Sequence, residues 1–426
     1  MAHGDQSARA VVTDASGDQR YIVVSSDCHG GGNIGDYRPY LESRWHDEFD
    51  AWAGAYENPY QDLEGDDGAR NWDSARRVRD LEADGIVAEI VFPNTIPPFF
   101  PKASLTAQPP AITIADMQRR WAGLQAHNRW LVDFCAEAPG RRAGVAQIML
   151  HDIEASVAEV RWAKDAGLTG GVLLPGTPPG LGLPQLFDPS YDPLWQVCEE
   201  LDMPVNHHTG SAAPPMGPTD VDTVVFLLEV SWWAHRALTH LIVGGALERH
   251  PGMQLVFTEQ GTAWVPDELL KLDYFFDRMA NAGGSQEQVW GRSVVERLSL
   301  RPSEYWKRQC HIGASFIRPA EVGLRGSVGV DKIMWGSDYP HKESSFPFSH
   351  EALRAAFAGV PADEVARMVG GNAAALYGFD LHALAPIAAE VGPRVADIDQ
   401  PLIPGELPIE ADKCPAFAGQ QFATAG

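Results

Sequence analysis

The stretch Tyr21-Ile22-Val23-Val24-Ser25-Ser26-Asp27-Cys28-His29 sets the reading of the whole chain. A short β-type run, Tyr21–Val24, leads directly into a cluster of polar and ionisable groups. Side chains alternate along a strand, so Asp27 and His29 face the same way and Cys28 faces the other. Parallel barrels keep their chemistry at the carboxyl ends of strands, and an acid and an imidazole on one face there fit that habit.

Working outward, seven further runs follow: Gly85–Phe92, Arg142–Leu150, Thr169–Leu174, Met203–His208, Met253–Phe257, Cys310–Phe316 and Lys332–Trp335. Apolar runs this short, bounded by Gly and Pro, read as buried parallel strands. The segments between them have helical spacing. Ile153, Val157 and Val160 share a face, as do Leu194, Val197, Cys198 and Leu201. Val365, Met368 and Val369 lead in the same way to Leu376 and Tyr377. Eight strands alternating with helices predict an α/β fold, a closed (β/α)8 TIM barrel. An open doubly wound sheet is the alternative, but Gly30-Gly31-Gly32 lacks the spacing of a dinucleotide-binding loop.

The expected organisation is an N-terminal extension over 1–20, the barrel over 21–380, and a Pro- and Ala-rich tail or oligomerisation arm over 381–426. Residues 30–75, 209–250 and 275–309 exceed a minimal barrel. Each follows a strand, which puts these insertions on the active-site face. They carry Trp45, Trp52, Trp72, Trp232 and Trp233.

Four strand ends concentrate the ionisable groups. Beside Asp27-Cys28-His29 stand Asn206-His207-His208-Thr209-Gly210, Thr258-Glu259-Gln260-Gly261 and Gly336-Ser337-Asp338-Tyr339-Pro340-His341. Singly, each has an ordinary reading as a cap, turn former or core histidine. Jointly, a barrel brings three carboxylates and at least two imidazoles around one axis. Clustered, partly desolvated carboxylates need a cation to neutralise them. Carboxylate and imidazole donors suit one divalent ion, Zn2+ or Mn2+.

Bulk properties narrow the partners. The 426 residues are 45% hydrophobic and carry a formal charge of −24. That balance argues against nucleic acid and against an anionic membrane, so the expected partner is a small-molecule substrate. Cys28, Cys135, Cys198, Cys310 and Cys414 include no CxxC pair, and an odd count fits a reducing compartment. Met1 to Arg20 lacks an apolar signal core, and no apolar run is long enough to span a membrane, so a cytoplasmic protein is expected.

In order along the chain, these motifs resemble the amidohydrolase-related family that includes the aminocarboxymuconate semialdehyde and resorcylate-type decarboxylases. The resemblance rests on Ser26–His29, Ala88–Pro93, Met203–Gly210, Val256–Gly261, Met334–His341 and Gly371–Gly378, and covers roughly 21–380. It implies metal ligands Asp27, His29, His208 rather than His207, and Asp338, which also moves the proton. A homodimer or higher homo-oligomer is expected. This chain departs from the family pattern twice: Asp27 stands in place of a first-strand His, and Glu259 in place of a catalytic sixth-strand His.

The function expected from these residues is hydrolysis of a small, aromatic or cyclic substrate through an activated water. Asp338 shuttles the proton, Glu259 orients water or substrate, and His341 stabilises negative charge. Trp232, Trp233 and His207 would contribute substrate-binding walls. The alternative is a metal-dependent non-oxidative decarboxylase, and a non-catalytic binding barrel is a third reading. Hydrolysis is preferred because an anionic Glu259 would repel a substrate carboxylate.

Overall fold

Each apolar run becomes a strand in the computed structural model, which describes residues 10–57, 65–94, 96–100, 113–177, 182–213, 217, 219–281 and 283–422. The barrel strands are β1 (Val23–Gly30), β2 (Ile86–Pro93), β3 (Arg142–Gly144, resumed at Ala146–Gln147) and β4 (Val172–Leu173). They continue with β5 (Val205–His208), β6 (Leu255–Thr258), β7 (Cys310–Ser315) and β8 (Ile333–Gly336). All neighbouring barrel strands pair in parallel and in chain order. The interrupted β3 joins two arcs: Glu89 pairs with Arg142 on one side, and Ala146 pairs with Val172 on the other.

Backbone hydrogen bonds close the ring between β8 and β1. Asp338 N–H donates to the Asp27 carbonyl at 2.8 Å, and His29 N–H donates to the Tyr339 carbonyl at 2.6 Å. A closed ring leaves no strand edge unpaired. It also explains why β1 runs to Gly30, well past the apolar run. The polar residues from Ser25 onward are held as a strand by neighbours on both sides, with a register irregularity between Ser25 and Cys28. The open-sheet alternative is thereby set aside.

The helices follow from local signals. Asp73 caps α1 (Ser74–Ala83), and Thr113 caps α2 (Ile114–Ala136). Thr219 and Asp222 form a capping box that starts α3 (Asp220–Val243), which lies between β5 and β6. Then comes α4 (Trp264–Asn281), after β6. In the first insertion, Trp45 and Trp52 gather around Phe99, each with ring centroids 6.0 Å from it.

The segment expected as a tail or arm folds onto its own chain. Leu381–Val391 is a helix, α5, with Leu384 and Ala388 buried one turn apart. Alanine favours helix, and this i, i+4 pair supplies an apolar face. Beyond it, Tyr21 N–H donates to the Pro393 carbonyl at 3.0 Å, which ties the tail to the hairpin of Val11–Thr13 and Gln19–Tyr21. Leu407, Ala411, Cys414, Ala416 and Phe417 are buried together with Ala352. No helix among the described residues is long and apolar enough to cross a membrane.

Candidate metal centre

The strand ends bring Asp27, His29, His208 and Glu259 together, with one donor atom from each within 4.8 Å of the others. Asp27 Oδ1 lies 3.3 Å from His29 Nε2 and 3.4 Å from His208 Nε2, and His208 Nε2 lies 3.4 Å from Glu259 Oε2. Asp27 and Asp338 are fully buried, and His29 and His208 are nearly so.

The imidazoles are oriented from behind. His29 Nδ1 lies 3.2 Å from the Pro93 carbonyl, and His208 Nδ1 lies 3.0 Å from the Thr209 carbonyl. A carbonyl only accepts, so each Nδ1 carries the proton and each Nε2 turns a lone pair toward Asp27. Asp27 Oδ2 is occupied by the Ser315 hydroxyl. Asp27 Oδ1, His29 Nε2 and His208 Nε2 are buried and have no hydrogen-bond partner. Three orphaned donor atoms converging in a desolvated pocket are what a divalent cation would satisfy. The residues therefore fit the metal, and the oxygen content fits a harder ion such as Mn2+ as well as Zn2+.

Asp338 occupies a neighbouring position. Its Oδ1 lies 3.1 Å from His29 Nε2, while its carboxylate faces His341 Nδ1 at 3.0 and 3.1 Å. The group of His29, Asp338 and His341 thus shares His29 with the first cluster. Glu259 stands in the first cluster, where the resemblance had put Asp338. Both acids have left-handed backbones, φ 57° at Glu259 and 63° at Asp338. Such strain in non-glycine residues concentrates at functional sites.

His341 is held on every side. Its ring stacks on His29 with centroids 4.1 Å apart, and its Nε2 lies 3.0 Å from Asn94 Oδ1. Asn94 is fixed in turn by donating to Asn71 Oδ1 at 2.6 Å. Burial opposes charge on His341, but the Asp338 carboxylate outweighs it and raises the imidazole to about 10. With acceptors at both nitrogens, the ring is an imidazolium. Burial likewise works against ionisation of Asp338, yet the charge of His341 brings it below the usual carboxylate range.

Glu259 behaves oppositely. Burial, then the negative charge of Asp338, push it well above the ordinary range, and His208 only partly opposes this. Without a cation in the pocket, desolvation and Asp338 disfavour the anionic Glu259 that the hydrolase reading assumed.

A buried ion network supports the centre from below. Glu89 accepts from Arg77 Nε at 2.8 Å and from Arg142 Nε at 3.1 Å. Arg77 Nη1 also donates to the His29 carbonyl at 2.6 Å and so fixes the backbone of a metal-facing residue.

The residues expected to form substrate walls lie elsewhere. His207 is buried on the opposite side of β5 from His208, with Nδ1 3.1 Å from the Leu174 carbonyl. Burial lowers its imidazole to about 4. Trp233 lines a small cavity with His207, outside the metal-facing cluster. Trp232 is 58% exposed on α3. An aromatic pair in an active-face insertion is not enough to place it in the pocket, because a long helix turns only one side inward. Sequence reasoning passed over Asn94, Ser315 and Arg77 as site residues. Asn94, a polar residue at the end of β2, carried the same strand-end signal as the others.

The chain is similar to several known proteins. The family described as Amidohydrolase matches residues 29–379. The gamma-resorcylate decarboxylase of Rhodococcus jostii (strain RHA1) is 24% identical over 294 residues, spanning 65% of this chain and 83% of that protein. The crystal structure of 5-carboxyvanillate decarboxylase from Sphingomonas paucimobilis is similar in fold, with a TM-score of 0.61, 18% identity and coverage of 84% of this chain and 99% of that one. The 5-carboxyvanillate decarboxylase of Novosphingobium aromaticivorans, complexed with manganese and 4-hydroxy-3-methoxy-5-nitrobenzoic acid, has a TM-score of 0.61 at 18% identity and covers 84% and 96%.

Proposed function

Because the chain belongs to the amidohydrolase family, we propose that it is a metal-dependent carboxy-lyase that removes CO2 from a small aromatic carboxylate. This reverses the order of the two readings drawn from sequence. The observation that carries it is the Asp338–His341 pair, a carboxylate backed by an imidazolium and set against the metal-facing His29. Such a pair is a proton source, and decarboxylation of an aromatic ring consumes one proton at carbon. The relatives described above are named as decarboxylases of resorcylate and carboxyvanillate.

Asp27, His29 and His208 would hold the cation, with Glu259 or Asp338 completing the set. When bound, the metal supplies positive charge that fixes an anionic aromatic acid and stabilises charge on its ring oxygen. The remaining work belongs to the chain. His341 recharges Asp338, and Asp338 delivers the proton to the ring carbon bearing the carboxylate, forming the C–H bond. The C–C bond then breaks, its electron pair restores the ring, and CO2 leaves. Burial and Asp338 disfavour negative charge on Glu259, which lessens the repulsion that favoured hydrolysis. Asn94 and Asn71 keep His341 at the correct angle.

The test supplies 2,6-dihydroxybenzoate and 5-carboxyvanillate to the Mn2+-loaded enzyme in D2O. The expected result is CO2 release with one deuterium at the former carboxyl carbon. Asp338→Asn should retain metal and lose turnover by about 10² to 10⁴. Turnover of an ester, lactone or amide with oxygen from labelled water, and no CO2 from either acid, would return the reading to hydrolysis.

A further inference from the structure

A cavity of about 640 Å3 lies at the opposite end of the barrel from the metal-facing cluster. Tyr21 forms part of its wall and stands two residues before β1, whose far end carries Asp27 and His29. At about 3.3 Å per residue, the strand puts Tyr21 roughly 20 Å from Asp27. Phe357, Val365 and Ile398, all buried, give the cavity apolar walls. Its polar groups are not satisfied within the chain. Tyr21 is only 2% exposed, yet its hydroxyl has no hydrogen-bond partner among the described residues, whereas a buried phenol ordinarily finds one. Burial first, and then the charges of Asp399 and Asp363, push that phenol up to about 12, so the hydroxyl stays protonated within reach of their field.

Charge selects the occupant. Asp397 and Asp399 line the same cavity. Asp399 Oδ1 accepts from Gly359 N–H at 3.1 Å, and the only cation among the lining residues, Arg394, is engaged by Asp18 at 3.3 Å. Negative charge is therefore left over. No third ligating group joins these two carboxylates among the described residues, so a metal ion is not what they are arranged to hold. We infer that this cavity binds a primary ammonium compound with an apolar body. An ammonium group carries three donors and no acceptor, and it matches two carboxylates and a phenol oxygen, each of which accepts. The apolar body would displace water from Phe357, Val365 and Ile398. The volume lies within the range of small-molecule sites.

Isothermal titration calorimetry of the full-length, metal-loaded protein with phenethylammonium tests this. The cation should bind at neutral pH. Phenylethanol and phenylacetate, which keep the aromatic body but carry no positive charge, should bind at least about tenfold more weakly. Asp399→Asn keeps the acceptor for Gly359 and loses the charge, and Tyr21→Phe loses only the hydroxyl. Each should weaken binding of the cation by about tenfold, with metal content and the far-ultraviolet circular dichroism spectrum unchanged. If Tyr21→Phe fails to fold, Asp397→Asn takes its place and should weaken binding to the same extent. No heat of binding, or equal affinity for the alcohol, rejects the proposal. Affinity undiminished in Asp399→Asn also rejects it, because the cation would then be bound elsewhere on the protein.

Discussion

Asp84 should make this protein less stable as pH rises through the weakly acidic range, and Asp84→Asn should abolish that dependence. The residue ends α1, where its Oδ1 accepts a hydrogen bond from Ser349 N–H at 3.0 Å. Its Oδ2 is buried with no hydrogen-bond partner. Burial raises the carboxyl from 3.8 to about 7, against the hydrogen bonds from Ser349 and with help from the charge of Glu351. The folded protein therefore binds a proton that the unfolded chain releases. Below about pH 4 both states are protonated and nothing is lost. Stability falls as pH rises above the unfolded value and levels off once the folded carboxyl has also ionised, near pH 8. A displacement of about three units at 1.36 kcal/mol each amounts to about 4 kcal/mol between those limits. Asparagine keeps the acceptor for Ser349 and cannot ionise. Other groups titrate in the same range, so the quantity to measure is the difference between the two proteins. Urea unfolding of wild type and Asp84→Asn at pH 4, 6 and 8 should show Asp84→Asn gaining about 4 kcal/mol on wild type from the first pH to the last. Parallel stability curves for the two proteins would refute the reasoning.

The metal-facing residues allow three further tests. His208→Ala should reduce bound metal sharply in elemental analysis, whereas His207→Ala, on the other side of β5, should leave it near the wild-type level. Adding Mn2+ to metal-stripped protein should raise its thermal midpoint, with a gain of about 2.7 kcal/mol when free metal is 100 times its Kd. Asp27→Ala or His29→Ala should erase that shift, and a persistent shift would place the metal elsewhere. Arg77→Met should destabilise the fold by about 3 to 5 kcal/mol, because Glu89 loses a buried partner. Unfolding midpoints within 1 °C of wild type would count against that network.

The barrel was legible from the sequence because its signals are local. Runs such as Met253–Phe257 and Lys332–Trp335 announce buried strands by composition and length, and they became β6 and β8 with shifts of only a residue or two. The ionisable residues that interrupt those runs at their ends marked the site for the same reason. Which of them face one another was not local. Whether His341 meets Asp338 or solvent, and whether Glu259 joins Asp27 or stands apart, depends on how eight strands close into a ring. The upward shift of the Glu259 carboxyl depends further on burial and on charges from the ends of β1 and β8, which lie far from it in sequence. Asn94 and Ser315 acquire their roles only through atoms brought to them across the ring. The tail's fate was equally non-local: its composition permitted a loose arm, and only the apolar surface offered by Ala352 and its neighbours gave Leu407 and Phe417 somewhere to be buried. Sequence alone thus determined which groups the strands carry, since side-chain alternation and hydrophobic runs are properties of neighbouring residues. Closure of the barrel decided their partners and their charge states, since distance and desolvation exist only once the strands are in place.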